Sequence, residues 1–286
     1  MQSSAFDIRH PNRDLSCVVF ASPHSGSLYP ADLMRKTALS DHLVRSSEDA
    51  FVDRLFDCAP DFGARFIRAV MPRAYVDLNR SPDELDPALI EGVRRRGHNP
   101  RVASGLGVIP RVVANGRAIY SGKLSMAEVQ TRLDRFWHPY HQQLQGLLDA
   151  AHRSHGQAVL IDCHSMPHEA VEGIARASAR RPQVVLGDRF GAAASGEVMD
   201  RVEAAFTAQG FRVARNAPFA GAYITQAYGR PTRGQHAIQV ELDRALYMDE
   251  ERIVPNSDFA AVCDAIQGAV SEIARIGAEQ VPLAAE

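Results

Sequence analysis

Two histidines stand where strand-like apolar runs give out. Cys17–Ser22 (CVVFAS) leads into Pro23-His24-Ser25-Gly26, and Ala158–Cys163, interrupted only by Asp162, leads into His164-Ser165. A short β-branched apolar segment reads as a central strand of a buried sheet. In open α/β sheets ligands sit at the carboxyl ends of such strands. Imidazoles delivered twice to that edge suit metal binding or proton transfer. A catalytic zinc takes three protein ligands, typically histidines and one carboxylate, and keeps a fourth position open. The acids nearest the first histidine are Glu48 and Asp49, which read equally as acids favouring the start of a helix capped by Ser47. Glu241 ends a third apolar run, Ala237–Leu242 (AIQVEL), where a carboxylate can act as general base and then acid. A structural pairing of Glu241 with an arginine is the plainer alternative. Asn79 and Arg80, with Arg73 nearby, belong to RAYVDLNR, where arginine can offer a planar fork to a substrate carboxylate or merely end a strand.

These residues need a scaffold, and strand and helix patterns alternate along all 286 residues. Extended segments are predicted at 17–22, 64–72, 75–80, 158–163, 184–186, 211–216, 221–226 and 237–242. Helices are predicted from Ser47 to about Phe56, over 124–155 behind a Ser125/Glu128 capping box, over 195–209 and over 258–276. The alternation, without linker or repeat, predicts one α/β domain, residues 1–286, with a mixed, mostly parallel sheet between helix layers. The Pro-, Gly- and Arg-rich stretch 81–122 reads as a surface excursion of the kind that covers a site. His138 and His141, an i, i+3 pair, are read as a half-exposed helix face, and His10, His42 and His98 as surface residues.

Composition narrows the class. Hydrophobic residues make up 45% and charged residues 23%, enough for an ordinary buried core. A formal charge of −2 gives no reason to expect a nucleic-acid partner. No apolar stretch reaches the roughly 18–20 residues that span a bilayer. The polar, acid-bearing N-terminus does not read as a secretory signal, and four scattered cysteines without a CxxC pair read as reduced thiols. A cytoplasmic protein is expected. GxSxG, HExxH and Walker A motifs are absent, and Gly105-Leu-Gly107 lacks the third glycine of a dinucleotide loop. Cys163 beside His164 could suggest a thiol nucleophile, but neighbours on a strand point to opposite faces.

Seven segments in order, SPHSG (22–26), SEDAFVD (47–53), AYVDLNRSPDELDP (74–87), DCHSMP (162–167), LGDRFG (186–191), GAYITQAYGRP (221–231) and QVELDRALYMDE (239–250), closely resemble the N-formylglutamate amidohydrolases. The resemblance implies a phosphorylase/hydrolase-type α/β sheet like that of the zinc carboxypeptidases and aspartoacylases. It implies metal ligation by His24, Asp49 and His164. Asp49 is chosen over Glu48 because the family pattern keeps an Asp four residues before the Asp53 equivalent. It also implies Glu241 as the catalytic carboxylate, Asn79 and Arg80 (with Arg73) as holders of a substrate carboxylate, and Tyr223 and Arg230 completing the pocket. The implied cofactor is Zn2+, or another divalent ion such as Co2+. The implied reaction is N-formyl-L-glutamate plus water giving formate and glutamate, late in histidine breakdown. A deacylase or carboxypeptidase for another N-acyl amino acid, or a metal-free binding relative, remains open. Many members carry histidine where this chain has Phe51.

Overall fold

A computed structural model describes residues 4–94, 99–172 and 181–277; His98 lies outside them. Seven strands, β1 (Phe6–Arg9), β2 (Val18–Ser22), β3 (Arg65–Ala69), β4 (Ala158–Met166), β5 (Val184–Gly187), β6 (Val213–Arg215) and β7 (Gln235–Asp243), form one sheet in the order β1-β3-β2-β4-β7-β5-β6. The pairs β2–β4, β4–β7 and β5–β6 are parallel and β5–β7 is antiparallel. This is the mixed, mostly parallel α/β architecture expected. Strand β1 was not foreseen, because FDIR at a sheet edge buries none of its residues completely.

Backbone contacts divide the chain into two compact units. One takes the N-terminal residues through Asp7, Pro23–Ala50 and Arg68–Gln143, and so includes the described part of the excursion 81–122. The other takes Ile8–Ser22, Phe51–Ile67 and the chain from Leu144 onward.

In the second unit, β2 and β4 are buried at every position, as aliphatic runs in a sheet interior must be. Helix Gly196–Ala208 starts at Ser195, whose Oγ accepts from Val198 N. Its Val198, Val202 and Phe206 stripe is buried, as is Val262, Ile266, Val270 and Ile273 of helix Phe259–Ala274. That i, i+3/i+4 spacing lines one face, and the two helices pack together. Each such aliphatic side chain contributes roughly 1.5–3 kcal/mol by leaving water. Strand β4 does not stop before His164. Its ladder with β7 continues through His164↔Glu241, Ser165↔Leu242 and Met166↔Asp243, because backbone pairing, not side-chain polarity, decides where a strand ends. Residues 221–226 are not extended; Tyr223–Tyr228 is a helix, with Thr225 Oγ1 donating to Ala222 O at 2.9 Å in its first turn.

In the first unit the expected Ser47-capped helix does not form. A helical turn spans Arg45–Ser47, Glu48 is extended, and the next helix, Val52–Leu55 of the second unit, begins only after Phe51. Asp49 N donates instead to His24 O at 3.1 Å, which draws that stretch out of helical geometry. Residues 75–80 are a series of turns, not a strand. The capping box at Ser125/Glu128 forms as predicted and opens helix Met126–Arg132. A wider π-type turn, Leu133–Trp137, then passes into helix His138–His155. Among the described residues no helix is long and apolar enough to cross a membrane.

Candidate active site

The loop after β2 has one permitted residue at its tightest point. A Cβ on Gly26 would lie 2.1 Å from Met71 O, so only glycine lets Pro23-His24-Ser25-Gly26 pass this close to the backbone. His24, buried, is held on both sides. Its Nε2 meets Asp77 Oδ1 at 2.7 Å and its Nδ1 lies 3.4 Å from Asp49 Oδ2. A hydrogen bond from Nε2–H to Asp77 leaves the lone pair on Nδ1, the second-sphere arrangement by which carboxylates orient metal-binding histidines. Ligand atoms 2.0–2.2 Å from a tetrahedral ion sit roughly 3.3–3.6 Å apart. The Nδ1···Oδ2 separation matches that spacing.

Asp77 accepts two further bonds, from Asn79 N at 2.9 Å and Arg73 Nη2 at 3.0 Å. Burial alone would raise its carboxyl, but His24, Arg73 and Arg80 outweigh burial and hold it well below the usual carboxylate range. Arg73 Nη1 lies 3.8 Å from Asp49 Oδ1, so its guanidinium rests on two carboxylates of the chain itself. Glu48 is committed elsewhere: Arg45 grips both its oxygens at 3.0 and 3.1 Å, and Tyr29 OH donates to Oε1 at 2.6 Å. Arg80 is buried, with Nε on Leu106 O and Nη1 on Asn79 O.

In the second unit, pairing of β4 with β7 sets His164 beside Glu241 and Asp162 beside Gln239. Partners in register project to the same face, as do residues two apart on one strand. The four therefore form one polar patch on an otherwise apolar sheet. His164 Nε2 meets Asp162 Oδ2 at 3.0 Å, which again assigns the lone pair to Nδ1. Gln239 Oε1 accepts from Ala222 N at 3.0 Å, which fixes the amide's orientation. Its Nε2 then donates to Glu241 Oε1 at 2.8 Å. Ser165 points the other way, accepting from Arg244 Nε at 3.1 Å. Cys163 also faces away from His164, and burial first, then the Asp162 charge, pushes its thiol well above the ordinary value. A thiol kept protonated on the opposite face is not a nucleophile.

Tyr223 begins the helix Tyr223–Tyr228 and is half-buried. Arg230 is exposed, and its Nη1 donates to Gln226 O and Gly229 O at that helix's C-terminal end. Phe51 has left-handed backbone (φ 67°), and its ring packs edge-on against Phe259 with Arg54 over it. His141 is buried rather than half-exposed; its Nε2 bonds Leu78 O at 2.9 Å and its ring lies against Trp137.

Asp77, Asp162 and Gln239 escape a reading of the sequence for single reactive residues. For two of them a signal existed: Asp162-x-His164 and Gln239-x-Glu241 on strands must share a face. Asp77 meets His24 across 53 positions, and nothing local announces it.

A family model, N-formylglutamate amidohydrolase, matches residues 16–248. N-formylglutamate deformylase of Pseudomonas aeruginosa is 29% identical over 265 residues, covering 90% of each chain. The Pseudomonas putida enzyme of that name is 29% identical over 240 residues, 82% of each. Among solved structures, N-formylglutamate amidohydrolase from Ralstonia eutropha JMP134 superposes with a TM-score of 0.89 at 33% identity, covering 96% of this chain and 99% of that one. With its polar patch of His164, Asp162, Glu241 and Gln239 and its carboxylate-held His24, the chain belongs to the N-formylglutamate amidohydrolase family.

Proposed function

We propose that this protein hydrolyses the amide bond of N-formyl-L-glutamate to give formate and glutamate, using one divalent ion held by His24, Asp49 and His164. The observation that carries the reading is the register pair His164↔Glu241, a ligand-type imidazole and a carboxylate side by side on one face. The family and the activity of its named relatives support the substrate. The donor set, two imidazoles and a carboxylate, all buried, is of a kind that can hold a metal ion. It suits zinc or cobalt better than magnesium or calcium, which prefer all-oxygen sites.

When bound, the ion supplies Lewis acidity toward the formyl oxygen and toward water. The remaining work falls to the chain. Glu241, anchored through Oε1, takes a proton from the attacking water and returns it to the amide nitrogen as the C–N bond breaks. Arg80 has Nε and Nη1 engaged with carbonyls, which leaves the Nη2 side of its fork for a substrate carboxylate, with Asn79 beside it in sequence. Arg73 steadies Asp77 and Asp49 instead of reaching outward. With Arg80 assigned to the side-chain carboxylate, a site built to pair that charge rejects substrates lacking it, so N-acyl amino acids without it should turn over poorly.

The test is formate release from N-formylglutamate before and after chelation, with zinc or cobalt add-back, against N-acetylglutamate and N-formyl-leucine. Activity lost to chelator, restored by metal and selective for the formyl diacid is expected. Activity indifferent to metal removal would end the metal assignment, and turnover of only the other substrates would end the substrate assignment.

A further inference from the structure

At the end of the second unit opposite the polar patch, β4 and β7 begin, and the surface there is a concavity of about 470 Å³. Its walls carry His152 and Arg153 from the last turn of helix His138–His155, Arg230 and Arg233 from the turn before β7, and one acid, Asp149. Gln235, on the rim, lies four positions before Gln239 and six before Glu241 on the same strand. At about 3.3 Å per residue that places the rim about 13 Å from the near end of the patch and about 20 Å from Glu241.

Cations at helix C-termini have a plain explanation, since the last carbonyls attract them. That explanation covers Arg230, whose Nη1 binds Gln226 O and Gly229 O. It covers His152, whose Nε2 donates to Arg233 O at 3.0 Å. It does not cover Arg153 and Arg233: among the described residues neither guanidinium has a hydrogen bond or an ion pair. Asp149, whose Oδ1 accepts from Gln145 Nε2 at 2.6 Å, offsets one of the three guanidinium charges and leaves an excess of positive charge. Three guanidiniums thus face one concave space with a single acid among them. Among the described residues some exposed arginines elsewhere are matched, Arg215 with Asp200 and Glu203 and Arg275 with Glu272, and others such as Arg35, Arg117 and Arg252 are not. What sets this place apart is that three of them line one concave space. Like charges held together in excess of their counter-charge repel, and a ligand bearing two or more anionic groups relieves that repulsion. Guanidinium forks match both phosphate and carboxylate oxygens.

We propose that Arg153, Arg230 and Arg233, with His152, form a second binding site for a small polyanion carrying at least two phosphate or carboxylate groups. None of its residues belongs to that patch; Arg230, which the family resemblance assigned to the substrate pocket, lines this concavity instead.

Titration calorimetry of the full chain at low salt, with inorganic pyrophosphate and separately citrate, tests this. Saturable binding at one equivalent is expected for at least one probe, falling at least tenfold in the double variant R153A/R233A and weakening steeply with added salt. Pyrophosphate alone would mark a phosphate site, and citrate alone a carboxylate site. Both substitutions are at exposed positions, and an unchanged melting curve verifies the fold. No saturable binding by either probe, or equal affinity in the double variant, overturns the proposal.

Discussion

On the proposed reading Glu241 removes a proton from water, and Gln239 aims its carboxylate. The Ala222 N–H fixes which end of the Gln239 amide faces Glu241, so the contact is a donor to one carboxylate oxygen, leaving the other for water. A hydrogen bond to a charged group is worth about 1.5–3 kcal/mol, roughly a 10- to 100-fold effect on rate if expressed only in the transition state. Glu241→Gln should therefore keep its metal and lose at least 100-fold in kcat. Gln239→Met should lose at least tenfold in kcat with KM within about twofold and metal content unchanged. A raised KM with intact kcat in the Met variant would instead place Gln239 in substrate binding. At this scale His24, His164 and Glu241 were legible because each follows or ends an aliphatic run, a one-dimensional signal. Asp49 was chosen over Glu48 on the family resemblance alone; the side-chain contacts add that Arg45 and Tyr29 claim Glu48, whereas Asp49 faces His24. Arg73 read as a substrate fork because sequence cannot show that Asp77 and Asp49 already occupy it.

Strands were legible as elements wherever aliphatic residues ran together, and their ends were not, since β4 runs past its polar residues on the strength of ladder bonds. Short helices obeyed tertiary contacts over propensity, as the failed Ser47 start and the unforeseen Tyr223–Tyr228 turn show. The helix His138–His155 hides a titratable group that the i, i+3 pattern suggested was exposed. Burial lowers His141 to about 3, partly offset by its bond to Leu78 O. Above about pH 6.5 the ring is neutral whether folded or unfolded and pH has no leverage through it. As pH falls from about 6.5 toward about 3, the unfolded chain binds a proton that the folded chain refuses. Stability then drops by about 1.4 kcal/mol per pH unit from this group. His141→Gln retains a donor for Leu78 O and removes the titration. Urea denaturation between pH 6 and 4.5 should show a slope shallower by about that amount in the variant. An unchanged slope would mean that His141 is protonated in the fold.

For the whole molecule, composition and a net charge of −2 set only broad bounds, and the order of the seven strands could not be read at all, because it depends on which distant segments pair. What ties the chain together functionally, on the proposed reading, is a cation taking one ligand pair from residues 24 and 49 and a third ligand from residue 164. An ion that binds only the folded chain raises stability by RT ln(1 + [M]/Kd), about 2.7 kcal/mol at one hundred times Kd. The chelated protein should therefore melt at a lower temperature than the zinc-loaded protein, and the increment should grow logarithmically with free zinc. His24→Ala and His164→Ala should each abolish the zinc-dependent increment. Asp77→Asn should reduce it by weakening the orientation of His24 without removing a ligand, the 10- to 100-fold affinity loss usual for outer-sphere partners. Differential scanning calorimetry over a zinc buffer series measures all four proteins. A zinc increment that survives intact in His164→Ala would separate that residue from the ion and leave the His24–Asp49 pair with another purpose.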